Sequence, residues 1–165
     1  APWQVGFERA RQVRTRMGLA SDPVETRQIA GQVSWVLPHG SQAPSGLLRA
    51  LGGVSADSTA TVVTSLRVTE PASAAVRFLS CRALNELLFE GAGPFVLTSQ
   101  RTERQAIGRA FAAELLMPMV AIRGRMGHKR LLAQEDLEDL AFQYGVSDWV
   151  IGHQIENDLR RRNGY

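Results

Sequence analysis

The chain has 165 residues, 44% of them hydrophobic and 21% charged, which is the composition of one globular domain with a sizeable core. The single Cys81 excludes an internal disulfide framework, and no apolar run approaches the roughly 18 residues of a membrane-spanning helix. We therefore expect a cytoplasmic protein that has no membrane partner. The net charge of +3 is modest, so we expect weak, sequence-independent DNA binding at most.

Arginine dominates the basic residues. Lys129 is the sole lysine, so 18 of the 19 Lys and Arg residues are Arg. Codon usage in a GC-rich genome would explain this bias, and the alternative is bidentate recognition of phosphate or carboxylate by guanidinium groups. The arginines cluster in the predicted first helix (Arg9, Arg11, Arg14 and Arg16) and in the C-terminal tail (Arg160, Arg161 and Arg162). Such clusters usually form a solvated face, so we expect these side chains to be mostly exposed.

The N-terminal half predicts two helices followed by strands. Apolar residues recur with helical spacing over Phe7–Met17, and Gly18 ends that helix. Asp22 and Glu25 form a capping box around Pro23, which predicts a second helix that begins at Pro23. The segments rich in aliphatic and β-branched residues are predicted strands, namely Val33–Leu37, Leu47–Val54 and Thr59–Leu66. A turn at residues 55–58 joins the last two strands, so we expect an antiparallel hairpin.

The C-terminal half predicts mostly helices. Ala72–Phe89 is long and strongly apolar, which is typical of a buried helix, and Phe95–Leu97 is a predicted edge strand. Further helices are predicted for Thr102–Glu114, for a short segment opened by Pro118, for Gln134–Tyr144, and from Ser147 to about Arg161, with a basic loop at residues 123–130. The complete pattern predicts a helix-dominated α+β fold with a small antiparallel sheet.

Two segments in the predicted core helices carry a recognisable pattern. Residues 77–86 read RFLSCRALNE, and residues 109–118 read RAFAAELLMP. They resemble the core of the ImmA/IrrE family of bacterial metallopeptidases, whose segments read roughly R-F-x-x-A-H-E-x-x-H and E-A-N-x-F-A-A-x-L-L-M-P. The resemblance implies a single zincin-like domain over residues 1–165, with helices packed around a three-stranded antiparallel sheet. It also implies an upstream DNA-binding domain, so we expect this chain to be a fragment of a longer protein.

The residues at the family's zinc-binding positions do not suit zinc. A zinc peptidase needs two His ligands one helical turn apart, a Glu that polarises the attacking water, and a third ligand from a second helix. The matching positions here are Arg82, Ala83, Glu86 and, on the second helix, Ile107. Arg82 stays cationic, Ala83 cannot act as a base and Ile107 has no donor atom. The sequence therefore predicts no metal, no cofactor and no catalytic residue, with an Arg82–Glu86 ion pair in place of the metal.

A second pattern lies at the C-terminus. Residues 137–151 have the spacing of a helix-turn-helix, with Gly145 in the turn and Ser147 capping the second helix. The second helix and its tail would present the candidate DNA contacts His153, Asn157, Arg160 and Arg161. Asp148 and Glu156 would face phosphate, and the resemblance implies that the same turn serves as a structural corner. DNA binding through this pair is therefore an alternative hypothesis.

The first hypothesis is a catalytically silent metallopeptidase-like domain that acts as a binding or regulatory module, within a transcriptional regulator as the resemblance implies. Its partner would be a protein or peptide, such as a repressor, or a small ligand, and DNA would bind through the upstream domain. The alternatives are an ImmA/IrrE-type zinc metallopeptidase with unusual ligands and a helix-turn-helix DNA-binding domain at residues 137–157. Cys81 is expected to be an inert, buried thiol, because no His lies near it in the sequence.

Overall fold

The computed structural model describes residues 1–30, 33–36, 48–54, 60–64, 73–91, 93–127 and 132–162. Within these residues the chain is a helix-dominated α+β structure. Its helices are α1 (Pro2–Arg16), α2 (Thr26–Ala30), α3 (Ala74–Asn85), α4 (Glu103–Leu116), α5 (Met119–Met126), α6 (Gln134–Tyr144) and α7 (Asp148–Arg162). Its strands are β1 (Val33–Val36), β2 (Leu48–Val54), β3 (Ala60–Thr64) and β4 (Gly93–Thr98).

The strands form one sheet in the order β1-β3-β2-β4. β2 and β3 pair antiparallel, with Val54 opposite Ala60, which confirms the predicted hairpin. β4 pairs antiparallel with the other side of β2, and β1 pairs parallel with β3. The prediction of a purely antiparallel sheet missed this parallel edge, because an apolar pattern identifies a strand but not the partner or direction of its pairing. The hairpin turn at residues 55–58 lies outside the described residues.

Helices α3 and α4 form the centre of the core. α3 contacts strands β1, β3 and β4 on one side and α4 on the other, and α1 packs against α4. Leu84 and Phe111 are 1% and 0% exposed, so the predicted packing of the two core helices around these residues is confirmed. α1 approaches α4 so closely that a Cβ at Gly6 would lie 2.5 Å from the Ile107 carbonyl oxygen. Only glycine fits this crossing.

Helix α3 ends in a turn of unusual geometry. Ser73 caps its start by accepting a hydrogen bond from the Val76 N–H at 3.4 Å. Residues Glu86–Glu90 then continue it as a π-helical turn, which ends at Gly91 with φ of 86°. Turns of this kind occur frequently at functional sites. Here the turn begins at Glu86, one of the positions that the sequence pattern singles out.

Helix α2 begins later than its predicted capping box. Residues 22–25 are not helical, and the Glu25 N–H donates to Gln28 Oε1 at 2.7 Å at the start of the helix. The preceding segment is held by Arg14, whose Nη2 donates to the carbonyl oxygens of Ala20 and Asp22 at 3.1 and 2.6 Å. The predicted helix start at Pro23 is therefore wrong, since this segment makes no helical turn and its carbonyl oxygens accept from Arg14.

Helices α5, α6 and α7 complete the C-terminal part. Pro118 precedes α5 as predicted, but the predicted basic loop is wrong for residues 123–126, which belong to α5. Residues 128–130 lie outside the described residues. α6 ends at Gly145 with φ of 60°, as the turn prediction required, and α7 follows. In the described part of the chain no single helix is long and apolar enough to cross a membrane, although α4 and α5, bent by 50°, would together meet that length and composition.

Candidate ligand-binding cleft

The positions that match the family's zinc site lie inside the protein. Arg82 and Ala83 on α3 are 3% and 0% exposed, and Glu86 in the following π-helical turn is 2% exposed. Ile107 on α4 is half-buried. Burial of two charged groups is costly unless each one has partners. The arrangement of those partners decides what this part of the protein can do.

Arg82 is held by α4 and β4. Its Nη2 donates to the Thr98 carbonyl oxygen at 2.9 Å and to Oε1 of Gln105. The same Gln105 side chain accepts from the Thr98 N–H at 2.9 Å and donates to the Val96 carbonyl oxygen at 2.8 Å. One amide thus joins the buried guanidinium to the last strand of the sheet. The Nε of Arg82 has no hydrogen-bond partner among the described residues.

Glu86 pairs with Arg104 and not with Arg82. Arg104 donates to Glu86 Oε2 from Nε at 3.0 Å and from Nη2 at 2.5 Å. The predicted Arg82–Glu86 ion pair is therefore wrong. Each residue reaches a closer partner from the first turn of α4, where Arg104 and Gln105 are adjacent.

Of the four residues at these positions, Glu86 alone carries a side-chain donor that suits zinc. Arg82 stands at the first ligand position as a cation whose Nη2 is hydrogen bonded, and the Glu86 carboxylate is engaged by Arg104. A catalytic zinc site needs three donor side chains around an open position. In the described ranges no three His, Cys, Asp or Glu side chains are placed to hold a metal ion. His39 and His128 lie outside the described residues.

A cleft of about 1050 Å³ opens beside Arg82. Its walls come from α1, α3, β2, β4, α4 and α7, so it lies where the two core helices meet the C-terminal helix. Five arginines line it, namely Arg49, Arg82, Arg101, Arg109 and Arg160. None of the described residues that line it is Asp or Glu. Such a concentration of one charge favours an anionic ligand.

Burial, and to a smaller extent neighbouring arginines, lower the pKa of Arg82 and of Arg109. The pKa of Arg82 falls to about 10, mainly because of burial and further because Arg109 and Arg49 are near, while Glu86 opposes the change. Burial also lowers the pKa of Arg109, and Arg101 adds to that effect. Arg82 and Arg109 remain protonated near neutral pH, so the two cations repel each other within the protein.

The other lining of the cleft is aromatic and apolar. Phe78 lies in the wall that α3 contributes, Trp3 in that of α1, and Trp149 in that of α7. Trp149 is 59% exposed and contacts the His153 ring edge-on at 4.1 Å. An exposed aromatic ring in a cleft with polar groups offers an apolar surface for part of a ligand.

The candidate DNA contacts do not share one surface. His153, Asn157 and Arg160 line the cleft, together with Arg82. Arg161 instead donates to the Asp158 carboxylate at 3.2 Å. Arg123 and Arg162 contact the same carboxylate. Three of the four residues therefore belong to a concave site that the sequence did not reveal, because the C-terminal helix and the core helices are far apart in the chain.

Two of the four first-helix arginines are less exposed than predicted, whereas the other two and the three tail arginines are exposed as predicted. Arg14 is 3% exposed and donates from Nη1 to the Leu115 carbonyl oxygen at 2.6 Å. Arg9 pairs with Glu90 at 2.6 Å, and Arg11 donates to Glu114 at 2.9 Å. The prediction of a solvated face is wrong for Arg14, which connects α1 to the end of α4.

Several residues of the cleft were missed at the level of sequence. Arg101 precedes α4, and Arg109 lies inside α4 where the family-like pattern begins. The spacing of four residues between Gln105 and Arg109, which places both on one face of α4, was the available signal. Cys81 is fully buried, and burial raises its pKa to about 12, which agrees with an inert thiol. The sequence matches no protein-family model and no curated protein.

Proposed function

We propose that this chain is a catalytically silent, zincin-like domain of the ImmA/IrrE type that acts as a binding module. The observation that carries the proposal is the pairing of Arg82 with Gln105 and Thr98 at the place of the first zinc ligand. A cation fixed there opposes a divalent metal. The cleft next to it remains large enough for a ligand, so the site can bind without reacting.

The partner of such a module is a small ligand, or a protein or peptide such as a repressor. The family resemblance supports a place within a transcriptional regulator, with DNA bound by an upstream domain. The cleft supports the small ligand, since it is concave and lined by side chains from six separate elements. A regulatory role would follow if the ligand changed the contact between α7 and the core helices.

Metal content and peptidase activity test the silent site. Protein purified without chelators or metal resins should contain substoichiometric zinc by elemental analysis, and added zinc should not raise its melting temperature. It should also leave an unstructured protein substrate intact. The proposal would be refuted if the protein contained stoichiometric zinc, lost that zinc in the Glu86→Gln variant and cleaved the substrate. That result would favour a peptidase with unusual ligands.

A further inference from the structure

We propose that the cleft binds a small phosphorylated ligand with a planar ring, whose phosphoryl oxygens contact Arg82, Arg101 and Arg109 and whose ring packs against Trp149. This inference rests on the proposed binding function and names the chemistry of the ligand. It goes beyond the degenerate zinc positions, because two of the three arginines lie outside them.

Arg82, Arg101 and Arg109 form no ion pair among the described residues. Arg101 is exposed and has no ion pair among the described residues, and Arg109 makes one hydrogen bond there, from Nη1 to the Gln100 carbonyl oxygen at 2.8 Å. Arg82 bonds only to an amide and a carbonyl oxygen, both uncharged. Several arginines elsewhere in the described chain meet carboxylates, as Arg104 does at Glu86. For Arg82, Arg101 and Arg109 a bound anion would supply the counter-charge.

Arg82 retains a hydrogen-bond donor that no described residue uses. A guanidinium carries five N–H donors in a planar fork that matches two oxygens of a phosphate. Arg82 is 3% exposed, and its Nε has no partner among the described residues. Arg109 lies near both Arg82 and Arg101, and such a group of guanidinium groups suits an anion with more than one charge, which favours a phosphoryl group over a single carboxylate.

Trp149 is placed where a planar ligand group could contact it. This ring lines the same cleft as the arginines yet is 59% exposed, although its neighbours Val150 and Ile151 are buried in the core. An exposed tryptophan in a concave, cationic site offers a flat surface for a ring. The volume of about 1050 Å³ accommodates a phosphate group and a ring together.

A nucleic acid chain fits the structure less well. Glu156 lies 3.7 Å from His153 and 3.9 Å from Arg160, two residues that line the cleft. The exposed Asp148 begins α7. These carboxylates would repel the phosphate backbone of a nucleic acid that extended along α7. A ligand bound near Arg82 and Arg109 lies beside cationic groups of the cleft and needs no contact with Glu156. We therefore assign the cleft to a small molecule and test an oligonucleotide as the competing ligand.

The experiment is a calorimetric titration of the whole chain at low salt with ATP, adenosine, pyrophosphate and a single-stranded oligonucleotide. ATP should bind measurably and quench tryptophan fluorescence, and adenosine should bind at least about tenfold more weakly, since charged hydrogen bonds of ordinary strength account for such a factor. Equal affinity for ATP and adenosine would overturn the proposal. So would binding of the oligonucleotide without binding of ATP, which would favour nucleic acid as the ligand.

Matched variants locate the site. Arg109→Gln should weaken the binding of ATP by roughly tenfold or more. Arg101→Gln should do the same, and because Arg101 is exposed we expect this variant to fold normally. The control Arg16→Gln removes the same charge from an exposed residue outside the cleft and should leave the affinity unchanged. Trp149→Leu should weaken the binding of ATP but not the binding of pyrophosphate. Unchanged ATP binding in both cleft arginine variants would contradict the proposal.

The two proposals fail in different ways. If a protein free of zinc bound neither ATP nor pyrophosphate, the proposal of a phosphorylated ligand would be wrong. The proposal of a silent binding module would be unaffected. Stoichiometric zinc with proteolysis would refute the silent module, whatever the titration shows. Zinc content is therefore measured on the same samples that are titrated.

Discussion

Arg82 and Gln105 are hydrogen bonded across the interface of α3 and α4, and that pair ties both helices to β4 through the Thr98 and Val96 carbonyl oxygens. Both side chains are buried, at 3% and 7% exposure. A polar bridge of this kind fixes how the helices and the sheet meet, because each buried donor costs stability when its partner is removed. The bridge occupies the place where the family pattern has a metal ligand.

Replacement of Gln105 should therefore destabilise the fold. Gln105→Ala leaves Arg82 Nη2 and the Thr98 N–H without the amide, and we expect a loss of about 1–3 kcal/mol in the free energy of unfolding. Urea denaturation followed by circular dichroism measures it. Gln143→Ala, at an exposed position of α6, is the matched control and should change stability by less than about 0.5 kcal/mol. A loss as small as that of the control would argue against the bridge.

Phe111 should behave as a core anchor. It is fully buried at the α3–α4 contact, and its ring meets Phe89 edge-on at 5.9 Å. Phe111→Ala should cost roughly 3–5 kcal/mol, since a large cavity remains between the helices. Phe142 is 92% exposed, so Phe142→Ala is a control with the same change of side chain and should have little effect. Equal stabilities of the two variants in thermal unfolding would contradict the burial of Phe111.

The sequence predicts the core better than the cleft for a physical reason. The burial of Leu84 and Phe111 follows from apolar stripes that are local in the chain, and Gly145 ends α6 because it has φ of 60°. The pairing of Arg82 depends on Gln105, which is 23 residues away, and on a strand carbonyl oxygen. Arginine spacing does not encode such contacts, so the predicted Arg82–Glu86 pair was wrong, and the cleft was not predicted.

Arg14 should contribute to stability through three backbone contacts. Its guanidinium donates to the carbonyl oxygens of Leu115, Ala20 and Asp22, which connect α1 to α4 and to the segment before α2. Arg14→Met preserves much of the apolar stem but removes the donors, so we expect a loss of about 2–3 kcal/mol. Arg16→Met is the control, because Arg16 is exposed in the same helix. Comparable urea midpoints for the two variants would refute this role.

The buried Cys81 thiol should make the protein less stable in alkaline solution. Burial raises its pKa from 9.0 to about 12, so the native thiol keeps its proton where the unfolded thiol loses it. The native state then binds more protons, and the stabilisation that is complete below about pH 9 is lost as the pH rises towards 12. Relative to Cys81→Ala, the protein should lose about 1 kcal/mol between pH 8 and pH 10. A constant difference between the two proteins over that range would contradict the raised pKa.

Restoration of the family's zinc-binding residues tests the resemblance itself. The variant that combines Arg82→His, Ala83→Glu, Glu86→His and Ile107→Glu supplies three donors and a general base at the matching positions. If α3 and α4 have the family's geometry, micromolar zinc should raise the melting temperature of this variant and leave that of the unaltered chain unchanged, because a metal that binds only the native state stabilises it.

A second variant controls for surface binding of the metal. It keeps Arg82 and carries the other three changes, so it lacks one ligand and retains the cation, and zinc should not stabilise it. Calorimetry should give one zinc per chain for the full variant alone. A well-folded full variant that binds no zinc would mean that the two helices do not present these positions to a common point, and the ImmA/IrrE assignment would then fail even though the packing of Leu84 and Phe111 remained.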